Sequence, residues 1–233
     1  MFYYYDWLIL LPCIILSYWA SSNVKSTFQR YSRQRSVRGL TGAQAAQRVL
    51  TANGVTGVRI ERVSGNLTDH FDPRTNVIRL SDSIYSDTST AAIGVACHEA
   101  GHAVQYAVGY FPIRLRAAII PVTNFGSRIA FPLIFLGILL SSMSGYASWL
   151  VDAGILCFSL SLVFQLVTLP VEFNASGRAI RAIEETGILT SDEMSGAKKT
   201  LRAAAMTYVA ATAVALGQLL RLIYLYGGRR RRD

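Results

Sequence analysis

His98, Glu99 and His102 stand in the stretch Cys97-His98-Glu99-Ala100-Gly101-His102, an H-E-x-x-H pattern that uses two of the three histidines in the chain. On a helix, residues four apart share one face about 6 Å apart along the axis, so both imidazoles can reach a single metal ion at roughly 2.0–2.1 Å. Neutral imidazoles leave a zinc ion enough charge to acidify a bound water. A nearby carboxylate that is not a ligand can then take the proton as the water attacks a carbonyl, and later return it to the leaving amine. The spacing therefore predicts a zinc hydrolase with Glu99 as general base.

A tetrahedral site needs a third protein ligand. The longer H-E-x-x-H-x-x-G-x-x-H pattern is absent, because Gln105 occupies its glycine position and Val108 its last histidine position, and no histidine follows His102. The candidates are His70 upstream and Asp152, Glu172, Glu184, Glu185, Asp192 and Glu193 downstream. Glu172 stands out, since in Leu169-Pro170-Val171-Glu172-Phe173-Asn174-Ala175-Ser176 an apolar run gives way to a charged one, which places an acid at the border of a membrane. Its other reading is a carboxylate at a helix N-terminus that opens after Pro170. His70 is a candidate for oxyanion stabilisation, substrate steering or metal ligation, against the plainer reading of a loop histidine held by Asp69 and Asp72. Tyr208 is a further oxyanion candidate, against an anchoring or packing role. Cys97 points about 100° away from His98 on a helix and is not expected to ligate.

The elements that position these groups follow from composition. The chain has 233 residues, 52% of them hydrophobic, and a net charge of +9, with apolar runs alternating with basic segments. The run from Trp7 to Ala20, with its flanks, reaches the length of a span and reads as a retained anchor. Two more runs, Ala117 to Met143 and Tyr146 to Leu169, form a hairpin, and Ala203 to Tyr226 is a fourth, broken by Gln218 and Arg221. The expected organisation is an anchor at 1–22, a soluble region at 23–116, a transmembrane hairpin at 117–169, a third-ligand helix and cytoplasmic segment at 170–202, a fourth apolar helix at 203–226 and a basic tail at 227–233. Lys25, Arg30, Arg33, Arg35 and Arg38 follow the first run, and Arg178, Arg181, Lys198, Lys199 and Arg202 follow the third, so both segments are expected in the cytoplasm. Arg229 to Arg232 fit that scheme only if the fourth run is re-entrant or the tail is an exception. The basic clusters border hydrophobic runs without aromatic interleaving, which favours anionic lipid over nucleic acid as partner. Three scattered cysteines give no disulfide framework.

Between the first run and the motif, Thr41-Gly42-Ala43-Gln44 reads as a capping box opening a helix through Leu50, which Asn53-Gly54 ends. Val58 to Val63 and Asn76 to Ser81 read as strands, with Asp72-Pro73-Arg74-Thr75 as the turn before the second. Val77 to Leu80 is placed to bind an extended substrate by strand addition, or is an ordinary edge strand. Asp87 to Thr90 offer N-caps for the motif helix, and Gly109 with Pro112 a stop.

Arg38-Gly39-Leu40-Thr41-Gly42, Leu67-Thr68-Asp69-His70-Phe71-Asp72-Pro73-Arg74, His98-Glu99-Ala100-Gly101-His102-Ala103 and Leu166 to Ser176, together with the N-terminal anchor, resemble the bacterial YugP-type membrane zinc metallopeptidases over nearly the whole chain. The resemblance implies a neutral zinc peptidase of the bacterial cell (inner) membrane, with His98, His102 and Glu172 as ligands and Glu99 catalytic. The Glu172-Phe173-Asn174-Ala175 segment is also similar to the third-ligand helix of the HtpX/Ste24 membrane proteases. Those families usually place an aspartate four residues after the glutamate to orient a ligand histidine, and Ser176 stands there instead. The expected fold is a mainly α membrane protein, with three to four transmembrane helices and a small α+β, zincin-like soluble domain. The expected activity is endopeptidase cleavage of a peptide or membrane-protein substrate at the cytoplasmic membrane surface, with zinc as cofactor. A site-2-type intramembrane protease needs the motif inside a true span, whereas Asp82, Asp87 and the Ser/Thr run before Ala91 start this helix in water. A non-enzymatic zinc-containing membrane interaction protein would leave Glu99 without a purpose.

Overall fold

The computed structural model describes residues 2–66, 68–144 and 147–226. Leu67, the turn at 145–146 and the basic tail 227–233, which holds Arg229 to Arg232, lie outside the described residues. In chain order the elements are α1 (Phe2–Tyr31), α2 (Gly42–Ala52), β1 (Arg59–Val63), β2 (His70–Asp72), β3 (Val77–Ser81), α3 (Asp82–Tyr85), α4 (Thr90–Ala107), α5 (Phe111–Ser144), α6 (Ser148–Thr186) and α7 (Met194–Tyr226). They divide into two compact units.

The first unit takes the described residues within Met1–Trp19, Leu115–Leu169 and Tyr208–Asp233. It is built from parts of α1, α5, α6 and α7, the four helices long and apolar enough to cross a membrane. Trp7, Leu11, Phe125, Phe135, Trp149, Leu156 and Leu220 project outward, as expected where lipid rather than water surrounds the helices. Its small interior cluster is Ile134, Val151, Ile155 and Leu222. Glycine lets α5 and α6 approach closely, since a Cβ at Gly154 would sit 2.8 Å from the Ala130 carbonyl oxygen. Ser127 and Ser161 join hydroxyls across the same pair at 2.9 Å. The fourth apolar run is an unbroken part of α7 despite Gln218 and Arg221.

The second unit, Ala20–Arg114 and Pro170–Thr207, carries the motif. Its α2 opens on the expected capping box, with the Thr41 hydroxyl accepting from the Gln44 N–H and the Gln44 side chain accepting from the Thr41 N–H. Ser89 caps α4 by accepting from the Ala92 N–H at 3.2 Å. Small side chains along α4 let it lie close to its neighbours. Ala92, Ile93, Ala96, Cys97, Ala100 and Ala103 enter one core with Val49 and Leu50 of α2, Ile78 and Leu80 of β3, and Ile183 of α6. Cys97 is thus a core residue, and burial pushes its thiol well above the usual range.

The three-stranded sheet has the order β1-β3-β2, with β1 parallel and β2 antiparallel to β3. This corrects one sequence expectation, because Val77 to Leu80 forms the central strand and has no free edge along its paired length. The three-residue β2 was not anticipated: it is too short to show alternation, and only its turn, Asp72 to Thr75, carries a local signal. A second difference concerns Pro170. The chain does not restart a helix there, since α6 runs through it to Thr186, so Glu172 sits deep within a helix and not at its N-terminus. Pro170 costs one backbone hydrogen bond at the junction of the two units without ending the helix.

Glu193 binds two distant backbone segments. Its buried carboxylate accepts the Val37 N–H at 2.6 Å and the Thr190 N–H at 2.8 Å. Burial opposes its ionisation, but these two bonds, with Arg38 beside them, hold it below the usual carboxylate range. A group depressed in the folded state contributes stability that is present above its unfolded value of 4.5 and is lost as pH falls through the folded one. Thermal unfolding in detergent is therefore expected to occur at lower temperature on acidification below that value. Glu193→Gln should lower stability by about 1–3 kcal/mol at neutral pH and flatten the acid slope.

Candidate metal centre

Two faces meet at the motif. On α4, residues 98, 101, 102 and 105 form one stripe by helical periodicity, and on α6 the stripe is 171, 172, 174, 175, 176 and 178. The two helices pair in antiparallel sense, so that His98 faces Ser176 and Glu172 while Gln105 faces Val171 and Asn174.

The glycine inside the motif permits this approach. A Cβ at position 101 would lie 2.6 Å from the carbonyl oxygen of Ala175, so only glycine lets the α6 backbone come close enough for Glu172 to reach both histidines.

Among the described residues, His98, His102 and Glu172 form the one group of three potential ligands whose donor atoms all lie within 4.8 Å of one another. The Glu172 carboxylate oxygen is 3.2 Å from His98 Nε2 and 3.7 Å from His102 Nε2. Ligands at about 2.0–2.1 Å around a tetrahedral zinc stand roughly 3.3–3.4 Å apart, so the observed spacing fits that ion with little adjustment. The donor chemistry fits as well, since two imidazoles and one carboxylate leave a fourth position for water. Glu172 is 2% exposed, and a carboxylate so buried is costly without positive charge beside it. Electrostatics at His102 point the same way. Burial disfavours its cationic form, yet hydrogen bonding to Glu172 and the charges of Glu99 and Glu172 outweigh that and raise its pKa. A field that favours a proton there also favours a metal cation.

Glu99 is buried, at 8% exposure, and stands outside the group of potential ligands. Asp69 lies within reach of its field. Burial pushes the Asp69 carboxyl up, its bonds to the Ser81 N–H and hydroxyl pull it down, and the charge of Glu99 adds to the rise. The other acidic candidates for third ligand are engaged elsewhere or exposed: Glu184 pairs with Lys198, Asp152, Glu185 and Asp192 are exposed, and Glu193 holds backbone as described. His70 opens β2 with an exposed ring, its Nδ1 2.8 Å from the Thr68 carbonyl oxygen. It is held by backbone and not by its neighbouring carboxylates, since Asp69 turns to Ser81 and Asp72 to Thr75 and Arg79. Tyr208 lies on α7 in the first unit.

The surroundings of the two histidines were only partly visible beforehand. Ser176 Oγ lies 3.1 Å from His98 Nδ1, at the position four residues after Glu172. Gln105, conspicuous in sequence only because it breaks the longer motif, is fully buried with its Oε1 2.9 Å from His102 Nδ1. The usable signal was its spacing of three from His102, which puts it on the same helix face.

Helices long and apolar enough to cross a membrane, and two histidines with a glutamate that could hold one metal ion, are features that suit a membrane zinc metallopeptidase. The chain belongs to the family described as "Putative neutral zinc metallopeptidase", whose profile matches residues 6–227. It is 48% identical over 219 residues to "Putative membrane protease YugP" of Bacillus subtilis (strain 168), an alignment that covers 94% of this chain and 95% of that protein. No solved structure matches the chain.

Proposed function

We propose that the protein is a membrane-bound zinc endopeptidase in which His98, His102 and Glu172 hold the metal and Glu99 is the general base. One observation carries this reading: a buried carboxylate that is not part of the ligand group sits on the same helix as two histidines, which share a tetrahedral-scale site with a third ligand. Zinc held there supplies Lewis acidity, polarising the scissile carbonyl and lowering the pKa of water. The chain's own residues do the rest. Glu99 accepts a proton from the attacking water at its carboxylate oxygen and hands it to the nitrogen of the leaving amine. Its burial keeps that carboxylate close to the reacting atoms and away from bulk water.

Substrate binding is assigned to β2. With β3 central, β2 is the sheet edge that packs beside α4, and an extended peptide can pair with its outer backbone groups. His70, exposed at the start of that edge, is the side chain we assign to contact with the bound peptide.

Helix α4 is not among the helices long and apolar enough to span, and it packs on α2, α3 and the sheet, which supports a site at the membrane surface over a site-2-type intramembrane one. Lys25, Arg30, Arg33, Arg178, Lys198 and Arg202 all belong to the unit that carries the site, which supports a cytoplasmic orientation next to anionic lipid.

The test is cleavage of an unfolded membrane-protein substrate by the purified chain in detergent. Cleavage is expected to stop on treatment with a zinc chelator and to return when one equivalent of zinc is added back. Cleavage that persists in the chelated protein contradicts the reading.

A further inference from the structure

We infer that Gln105 is a positioning residue that fixes the tautomer and ring orientation of His102, held in turn by groups whose hydrogen-bonding sense cannot reverse. The inference rests on the reading of His102 as a ligand only for its consequence, not for its geometry.

Gln105 is fully buried, and both ends of its amide are engaged. One end lies 2.8 Å from the Val171 carbonyl oxygen and 3.0 Å from Asn174 Oδ1, and the other lies 2.9 Å from His102 Nδ1. A backbone carbonyl can only accept, so the end facing Val171 is the NH2 group. Asn174 leads to the same assignment. Its Oδ1 receives the Arg178 Nε–H at 2.8 Å, and a guanidinium can only donate, so that atom is oxygen and it too requires a donor from Gln105. The end facing His102 is therefore the carbonyl oxygen, and His102 must donate to it from Nδ1–H. A neutral imidazole with its proton on Nδ1 carries its lone pair on Nε2, the nitrogen that stands 3.7 Å from the Glu172 carboxylate. The chain of bonds from Arg178 through Asn174 and Gln105 thus presets His102 in the form that binds metal through Nε2.

His98 lacks this control. Its Nδ1 faces the hydroxyl of Ser176, which can donate or accept with equal ease. On the Nδ1 side, His102 is therefore preset while Ser176 leaves His98 without a fixed sense, although His98 Nε2 faces the Glu172 carboxylate at 3.2 Å. Gln105 also ties the motif helix to the backbone carbonyl of Val171, the residue before Glu172, so one amide sets both a ligand ring and the distance between the two helices that supply ligands.

The experiment uses the full-length chain, purified in detergent, stripped of metal and labelled with 15N-histidine. At alkaline pH, where the imidazoles are neutral, the His102 ring is expected to show the Nδ1–H tautomer in the wild type. Gln105→Met, similar in volume but without a strong acceptor, is expected to show a mixture of tautomers and to bind zinc about 10–100-fold more weakly in competition with a chelator. Asn174→Asp and Asn174→Leu should both retain the Nδ1–H form, because the Val171 carbonyl by itself still requires the NH2 end of Gln105. An Nε2–H tautomer in the wild type, or an unchanged tautomer in Gln105→Met, overturns the inference. Because the tautomer is read without metal, a wild-type chain that shows Nδ1–H yet binds no zinc supports the role of Gln105 and sinks the functional reading instead.

Discussion

Glu99→Gln is expected to lower the rate of peptide cleavage by about 10²–10⁴-fold while the purified protein keeps its full complement of zinc. The amide has the shape of the carboxylate but cannot accept a proton from water, so the substitution removes proton transfer and little else. Because Glu99 is not among the groups whose donor atoms converge, the ion should stay bound. Its burial makes the change sharper, since bulk water does not readily supply a substitute base at that point. Activity and zinc content measured on the same preparation check the prediction, and loss of both together would move Glu99 from base to ligand or to structural support.

Gly101→Ala is expected to be nearly as damaging without touching any ionisable group. The added methyl would stand 2.6 Å from the Ala175 carbonyl oxygen, where backbone faces backbone and no side chain can swing away. The helices must move apart, and α6 carries Glu172 about one turn before the contact and Ser176 immediately after it. Overpacking of this kind costs about 1–3 kcal/mol of stability. The shift should also weaken zinc binding by at least the roughly 10–100-fold typical of losing one outer hydrogen bond at a metal site. Thermal unfolding of the metal-free chain and a zinc competition titration read the two effects separately. An alanine variant with wild-type zinc affinity would show that the close approach of α4 to α6 does not matter to the site.

What could be read from sequence was what local chemistry controls. The capping box at Thr41 and Gln44 acts within one helical turn, and so does the Ser89 cap that starts the motif helix. Length and apolar character announced the helices that can cross a membrane, which need no partner to be recognisable. The nearness of Glu172 to His98 and His102 was anticipated from the change of character around Pro170 and from family resemblance, not from the structure of α6 itself. The reason Glu172 reaches them was not legible, because it depends on a glycine whose neighbour, Ala175, lies far along the chain. Hydrogen bonds that span tens of residues were equally hidden: Ser176 to His98 and Gln105 to Val171 exist only once α4 and α6 have paired. The sheet order failed for a related reason. β1 lies in a segment that alternates from Val58 and β3 is rich in apolar residues, but β2 has three residues and gains its identity from pairing with β3, so its role as the edge strand could not be seen.

The central claim is that two histidines and a carboxylate, without sulfur, hold zinc on this chain. X-ray absorption at the zinc edge of the purified, zinc-loaded protein tests it most directly. One zinc per chain with only nitrogen and oxygen neighbours at about 2.0–2.1 Å, including the scattering pattern of two imidazoles, is the expected spectrum. A sulfur shell near about 2.3 Å, or zinc well below one equivalent, would contradict the account.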